Sequence, residues 1–192
     1  MSPKKRKPSP RVQKKREQMR MEILAAARDI LLRDGPDGVT LNAVSGRLHM
    51  TKPALYHYFA SKEALARSLV TALIDEEIEA LMRAVAEEES NDNLLGAIIR
   101  AFHAHYVGRL HAFRFVYGQS QLYTTPEFGM DADMIRDEIT PRTRRLFDVL
   151  ESRLADSALP AERRRSLRRL AFVAWTSALG LVTMLGIADA TR

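Results

Sequence analysis

The chain has 192 residues, 30 Lys and Arg against 24 Asp and Glu for a formal charge of +6, and no cysteine. That length is enough to bury a core, either as one compact unit or as a small module joined to a larger one, and no internal repeat is visible. The lack of thiols excludes a disulfide framework, a thiolate metal site and a cysteine nucleophile, and fits a reducing compartment.

The charge is unevenly placed. Residues 1–20 hold nine basic side chains against Glu17 alone, a local charge of +8, so the remainder of the chain carries −2. Lys4, Lys5, Arg6, Lys7, Arg11, Lys14 and Lys15 alternate with Pro3, Pro8 and Pro10. Such a segment buries no apolar surface, and residues 1–16 are predicted to form a basic disordered arm that stays solvated until an anion orders it. Nucleic acid is the obvious anion. The blander readings are a solubilising tail or, for PKKRK at Pro3 to Lys7, a short import signal or an expression remnant. The segment lacks the apolar core of a signal peptide, so a cytoplasmic location is expected.

Beyond the tail nearly every segment has helical period. Ile23, Leu24, Ala27, Ile30 and Leu31 lie on one stripe of a helix expected over about residues 14–33. DGPDG at 34–38 stops it with turn formers and proline. Thr40 is a good N-cap for a short helix over 41–48, and Thr51 for another over 52–59 with Pro53 in its first turn. Ser61 caps a long helix to about Glu89, with Glu63 at the positive end of its dipole.

Two short helices separated by a tight turn and braced by a longer one form the shape whose second helix enters a DNA major groove. That second helix holds HMTKPALYHYF, His49 to Phe59. Lys52, Pro53, Tyr56 and His57 cover one arc of it, while Leu55 and Phe59 fall to one side, where they can pack with Val44 and Leu48. Lysine and tyrosine hydroxyls reach phosphates, and proline and tyrosine ring edges offer apolar surface to thymine methyls. Core packing is the alternative for these aromatics and suits Phe59. Tyr56, His57 and Tyr58 in succession cannot all face one core.

GVTLNAVSGRLHMTKPALYHYFASKEAL, Gly38 to Leu65, resembles the DNA-binding half of TetR/AcrR-type bacterial transcriptional regulators. The likeness covers residues 17–65 and is most specific at Leu55-Tyr56, Tyr58-Phe59, Ser61-Lys62-Glu63 and Leu65. It implies an all-α chain: an N-terminal helix-turn-helix DNA-binding domain at 17–62, then a helical ligand-binding and dimerisation domain at 63–192. It further implies that Thr40 meets a phosphate, that Lys52, Pro53 and Tyr56 face the groove, and that Tyr58 and Lys62 hold backbone phosphates. With Thr51 and His57 these complete the expected DNA-binding set. Two departures stand out: His49 replaces the usual turn glycine, and Ala54 replaces the usual hydroxyl residue, so the sequence read cannot be copied from a relative.

In the second half, Leu94, Leu95, Ile98, Ile99, Phe102 and Tyr106 give an amphipathic helix over about 92–109. TTPEFG at 124–129 reads as a loop. A helical piece over 131–139 meets Pro141, where Thr140 and Pro141 look like a fresh cap and first turn or else a kink. Phe102, His103, Tyr106, Phe113, Tyr117, Gln121, Tyr123 and Met134 are candidates to line a small-molecule cavity, against the reading that they are simply core. His103 and His105 point to opposite sides of a helix, so no metal site is expected.

Residues 170–188 are 19 uncharged residues after RRRSLRR, the minimal length of a membrane span. Against a span, the run contains Thr176, Ser177, Gly180, Thr183 and Gly186. A stripe through Leu167, Leu170, Ala174, Ala178, Leu181 and Leu185 suits a homodimer interface, and Leu170, Ala174, Ala178, Leu181 and Leu185 are its candidate contacts.

No nucleophile elbow, phosphate loop or zinc-protease motif is present, so no catalytic residue, metal or cofactor is expected. The functional expectation is a regulator that binds a pseudo-palindromic operator in double-stranded DNA as a homodimer, a repressor released by a small-molecule inducer, with no membrane attachment. The alternative is a ligand-independent DNA-coating or chromatin-type protein driven by the basic arm.

Overall fold

Helix α1, Pro10–Asp34, begins where the chain leaves the extended conformation of Ser9 and puts Pro10 at its first position, where a missing N–H costs no hydrogen bond. The computed structural model describes residues 9–118, 131–155 and 161–190, and every regular element among them is helical. Two compact units divide between Leu69 and Val70 rather than after residue 62, because Leu65, Ala66 and Leu69 are buried with the first.

The basic arm expected over 1–16 is corrected by α1. Arg11, Lys14 and Lys15 stand on a helix, its first bond running from the Gln13 N–H to the Ser9 carbonyl at 3.0 Å. Charge density did not prevent helix formation, since Lys, Arg and Gln are good helix formers and a proline in the first turn does no harm. Lys4, Lys5, Arg6 and Lys7 lie outside the described residues.

Gly35 ends α1 at φ 77° with its N–H on the Leu31 carbonyl, a conformation open to glycine and costly to most residues. A 3-10 turn at Pro36–Gly38 leads to α2, Leu41–Arg47, and α3, Lys52–Tyr56. Helix α3 stops three residues short of its expected end. The Tyr58 N–H reaches the Leu55 carbonyl at 2.9 Å, and this tightened turn still delivers Phe59 to the core at 2% exposure. Ile23, Ala27, Ile30 and Leu31 of α1 join Val44, Leu55 and Leu65 in that core, and full burial of each large apolar side chain is worth about 1.5–3 kcal/mol.

Helix α4, Lys62–Glu87, starts at Ser61, whose Oγ accepts the Ala64 N–H at 3.1 Å. In the second unit α5, Leu94–Tyr106, follows a 3-10 turn, and α6, Leu110–Phe113, passes into a π-helical turn at Arg114–Gly118. Helix α7, Ala132–Met134, is capped by Asp131, whose carboxylate accepts the Met134 N–H at 2.6 Å. A π-helical turn at Ile135–Ile139 then carries the chain straight into α8, Thr140–Ala155. Thr140 is therefore no fresh cap: its backbone is helical and its hydroxyl donates to the Ile135 carbonyl at 2.7 Å. The wider turn gives the Pro141 ring room against the preceding turn. The loop expected at 124–129 lies outside the described residues.

Helix α9, Ala161–Ala190, packs on α5 and buries Ala174, Ala178 and Val182, one stripe at i, i+4 and i+8. Two proposed dimer contacts, Ala174 and Ala178, are thereby corrected: small side chains let α9 approach its own neighbour closely, so they are covered within the chain. The uncovered face is rotated from them and carries Leu170, Val173, Leu181 and Met184, each about half exposed or more. Leu185 falls outside the described side chains. Among the described residues no helix is long and apolar enough to cross a membrane.

Candidate nucleic-acid interface and ligand cavity

The connection between α2 and α3 decides where the short helices point. His49 follows Leu48, the C-cap of α2, with φ 52° in the left-handed region, at the turn position where the resemblance has glycine. Its N–H bonds the Gly46 carbonyl at 3.2 Å while the Met50 N–H reaches the Ser45 carbonyl at 3.0 Å. These two bonds are a Schellman closure, with histidine at the position glycine usually takes.

The capping threonines then do two things at once. The Thr40 Oγ1 accepts the Ala43 N–H at 3.1 Å, and the Thr51 Oγ1 accepts the Ala54 N–H at 3.3 Å. Each hydroxyl keeps its own proton for an external acceptor. Both lie at the positive end of a helix, where anionic oxygens are favoured. Thr51, Lys52, Pro53, Tyr56 and His57 are exposed together, whereas Tyr58, Lys62 and Thr40 are half-buried. Leu55 and Phe59 turn inward.

Sequence reasoning missed what fixes the far end of α3. Arg16 donates to the His57 carbonyl at 3.2 Å, and Arg20 to the Tyr58 carbonyl at 2.5 Å. Two arginines one turn apart on α1 thus satisfy carbonyls that the end of α3 leaves without an intrahelical donor. Their i, i+4 spacing was the available signal, obscured by the surrounding charge.

In the second unit a cavity of about 190 Å³ is walled by Ile78, Leu81, Ile98, Leu146, Phe147, Leu150, Phe172 and Trp175, with Glu77 and Thr143 as its polar members. None of the six predicted pocket residues that fall among the described ones lines this cavity. Phe102, Tyr106, Phe113 and Met134 are buried, His103 and Tyr117 are half-buried, and Gln121 and Tyr123 lie outside the described residues. Four of them form an aromatic cluster instead: the Tyr106 ring centre lies 5.1 Å from Phe102, 5.3 Å from Phe113 and 6.0 Å from Tyr117.

The cluster supports the cavity from behind by holding Glu77. This glutamate is 2% exposed. The Tyr106 hydroxyl donates to its Oε2 at 2.6 Å, and the Tyr117 hydroxyl lies 2.9 and 2.7 Å from its two oxygens. Burial raises the Glu77 carboxyl above the usual carboxylate range, while hydrogen bonds from Tyr106, Tyr117 and Trp175 pull the other way. Burial and the adjacent carboxylate push both phenols well above the ordinary tyrosine range, so they remain donors. Glu77 was also missed from sequence, although it interrupts the apolar run Leu73, Ile74, Ile78 and Leu81 on the inner face of α4.

Residues 23–69 match the model of bacterial regulatory proteins, tetR family. The first unit thus carries a stretch of the tetR-family regulatory type at residues 23–69. It is 33% identical over 96 residues to an uncharacterised HTH-type transcriptional regulator of Mycobacterium tuberculosis, a match spanning 49% of this chain and 44% of that protein. To the HTH-type transcriptional activator FasR of Mycolicibacterium smegmatis it is 22% identical over 152 residues, 79% of this chain and 66% of FasR. The matches thus span less than two thirds of either relative's length. The crystal structure of the Bacillus subtilis regulator FadR in complex with stearoyl-CoA superposes with a TM-score of 0.59 at 17% identity, over 90% of this chain and 89% of that one. That likeness extends the TetR fold into the second unit.

Proposed function

We propose that this chain is a TetR-type sequence-specific DNA-binding transcriptional regulator, a repressor that binds a pseudo-palindromic operator as a homodimer and is released by a small-molecule inducer. The observation that carries the reading is the exposed face of α3. Lys52, Pro53, Tyr56 and His57 project there from a helix capped at one end by Thr51 and anchored at the other by Arg16 and Arg20. A short, rigidly held helix with an exposed lysine and tyrosine is suited to a major groove.

The homodimer part of the reading is supported by Leu170, Val173, Leu181 and Met184. Their spacing puts an exposed apolar stripe on α9, with Ser177 and Gly180 between them to permit close approach. The inducer part is supported by the cavity beside Glu77, and FadR, of the same fold, was crystallised with stearoyl-CoA. An inducer acts by preferring the conformation that fits the operator less well.

Selection from a random duplex library at about physiological ionic strength, where non-specific electrostatic binding is weak, tests this reading. An enriched inverted repeat that is lost with Lys52→Ala/Tyr56→Ala supports the regulator. Binding without sequence preference that survives those changes overturns it in favour of a DNA-coating protein driven by basic residues.

A further inference from the structure

The cavity beside α4 is mostly apolar, and its one ionisable member among the described residues is a carboxyl group with no cationic partner among them. Asp75, Glu76 and Glu77 follow one another on α4. Arg142 meets Asp75 at 2.9 Å and Arg109 meets Glu76 at 2.7 Å. Glu77, the most buried of the three, has only phenol and indole donors among the described residues. An isolated carboxylate is costly to bury, and a core position of this kind is better filled by an apolar side chain unless the charge has a partner to meet.

The rest of the wall indicates what that partner is. Phe147, Phe172 and Trp175 border the same space. Aromatic faces attract a cation through their quadrupole, most strongly when it is desolvated, and a neighbouring carboxylate adds direct charge pairing. Tyr106 and Tyr117 both donate to Glu77, which aims and fixes its oxygens without neutralising them. An anionic ligand would be repelled, and a neutral one would leave the carboxyl to relieve its burial by holding a proton, with nothing gained from its charge.

We propose that the cavity bordered by Glu77, Phe147, Phe172 and Trp175 binds a compact organic cation, an ammonium carried on an apolar or aromatic body, and that Glu77 is its charge partner. This rests on the reading of the second unit as the inducer-binding part of a regulator, and it names the chemical class of the inducer. Thr143 supplies a hydroxyl at the same wall for a polar substituent.

The experiment compares phenyltrimethylammonium with tert-butylbenzene, a neutral molecule of the same shape, and with benzoate, by calorimetry on the full chain. The expected result is that wild type binds the cation at least about tenfold more tightly than the neutral isostere, a difference of about 1.4 kcal/mol. Glu77→Gln abolishes that preference while leaving tert-butylbenzene binding within about twofold. Equal or stronger binding of the neutral molecule or of benzoate by wild type overturns the proposal without need of any variant. So does a cation preference that survives Glu77→Gln. Operator release is read separately. Glu77-dependent cation binding that leaves a protein–operator complex intact upholds the site and overturns ligand control of DNA binding.

Discussion

The guanidinium of Arg20 lies 4.3 Å from the centre of the Phe59 ring, and the same group donates to the carbonyl of Tyr58. One side chain of α1 therefore grips both the core anchor that follows α3 and a backbone carbonyl beside it. Arg20→Ala is expected to remove a charge-assisted hydrogen bond and a cation–π contact, together about 1–3 kcal/mol. Arg20→Lys should recover less than half, since an ammonium cannot both stack and bond in this geometry. Denaturant unfolding followed by DNA binding checks this. An alanine variant with unchanged operator affinity would show that α3 is held well enough without Arg20.

His49→Gly should stabilise the first unit by about 1 kcal/mol, because the left-handed conformation at φ 52° costs a side chain about that much. His49→Val should destabilise it, β-branching being least tolerated there. Thermal melting of the three proteins gives the order Gly, His, Val. A glycine variant that melts below wild type would mean the imidazole makes a compensating contact.

Loss of either cap hydroxyl should cost about 1 kcal/mol, and Thr40→Ser or Thr51→Ser should restore it, since serine offers the same acceptor. The two alanine variants are also expected to weaken duplex binding beyond their effect on folding, as each removes a hydroxyl donor at a positive helix end, where anionic oxygens are favoured. Affinity measured well below the melting transition separates the two effects.

Glu77 sets a pH dependence whose sign is opposite to that of an ordinary ion-paired carboxylate. Burial raises its folded-state pKa, so its contribution to stability is fully present below the unfolded-state value and declines as pH rises toward the folded one. Glu77→Gln stays neutral throughout and should gain on wild type as pH rises from the acid range toward neutrality. Paired melting curves across that window test it. A constant difference would mean the carboxyl titrates alike in both states.

On α9 two substitutions of the same chemistry should act differently. Val173→Glu/Met184→Glu charges the exposed stripe and is expected to yield folded monomers in sedimentation. Ala178→Glu buries a charge beside α5 and should lower stability by about 3 kcal/mol or more. If the double variant sediments like wild type, the stripe is not the dimer contact.

The first unit was largely legible because local rules govern it. Cap threonines, the DGPDG stop and the stripe through Ile23 and Ile30 act within a few residues of themselves, and the special position of His49 was implied by the resemblance, which has glycine in that turn. The second unit was less so. Aromatic content suggested a pocket, but aromatic composition suits core and cavity equally, and Tyr106 and Phe113 became support for Glu77. Which face of α9 is covered by α5 depends on contacts about 70 residues away in sequence, so Ala174 and Leu170 could not be told apart by periodicity. The start of α1 was missed because proline and charge were read as disorder when helix propensity and a permissive first turn outweighed both.

That start has a consequence in entropy. Pro10 to Gln18 are all exposed, yet they already follow helical geometry, rising about 1.5 Å per residue. Arg11 and Lys15 thus stand about 6 Å apart along a stiff axis. A flexible tail would lose about 1–2 kcal/mol of backbone freedom for each residue it ordered against a polyanion. These residues have lost that freedom before any anion arrives, so their charges act as a fixed ruler, sensitive to the spacing of what they meet as well as to its sign.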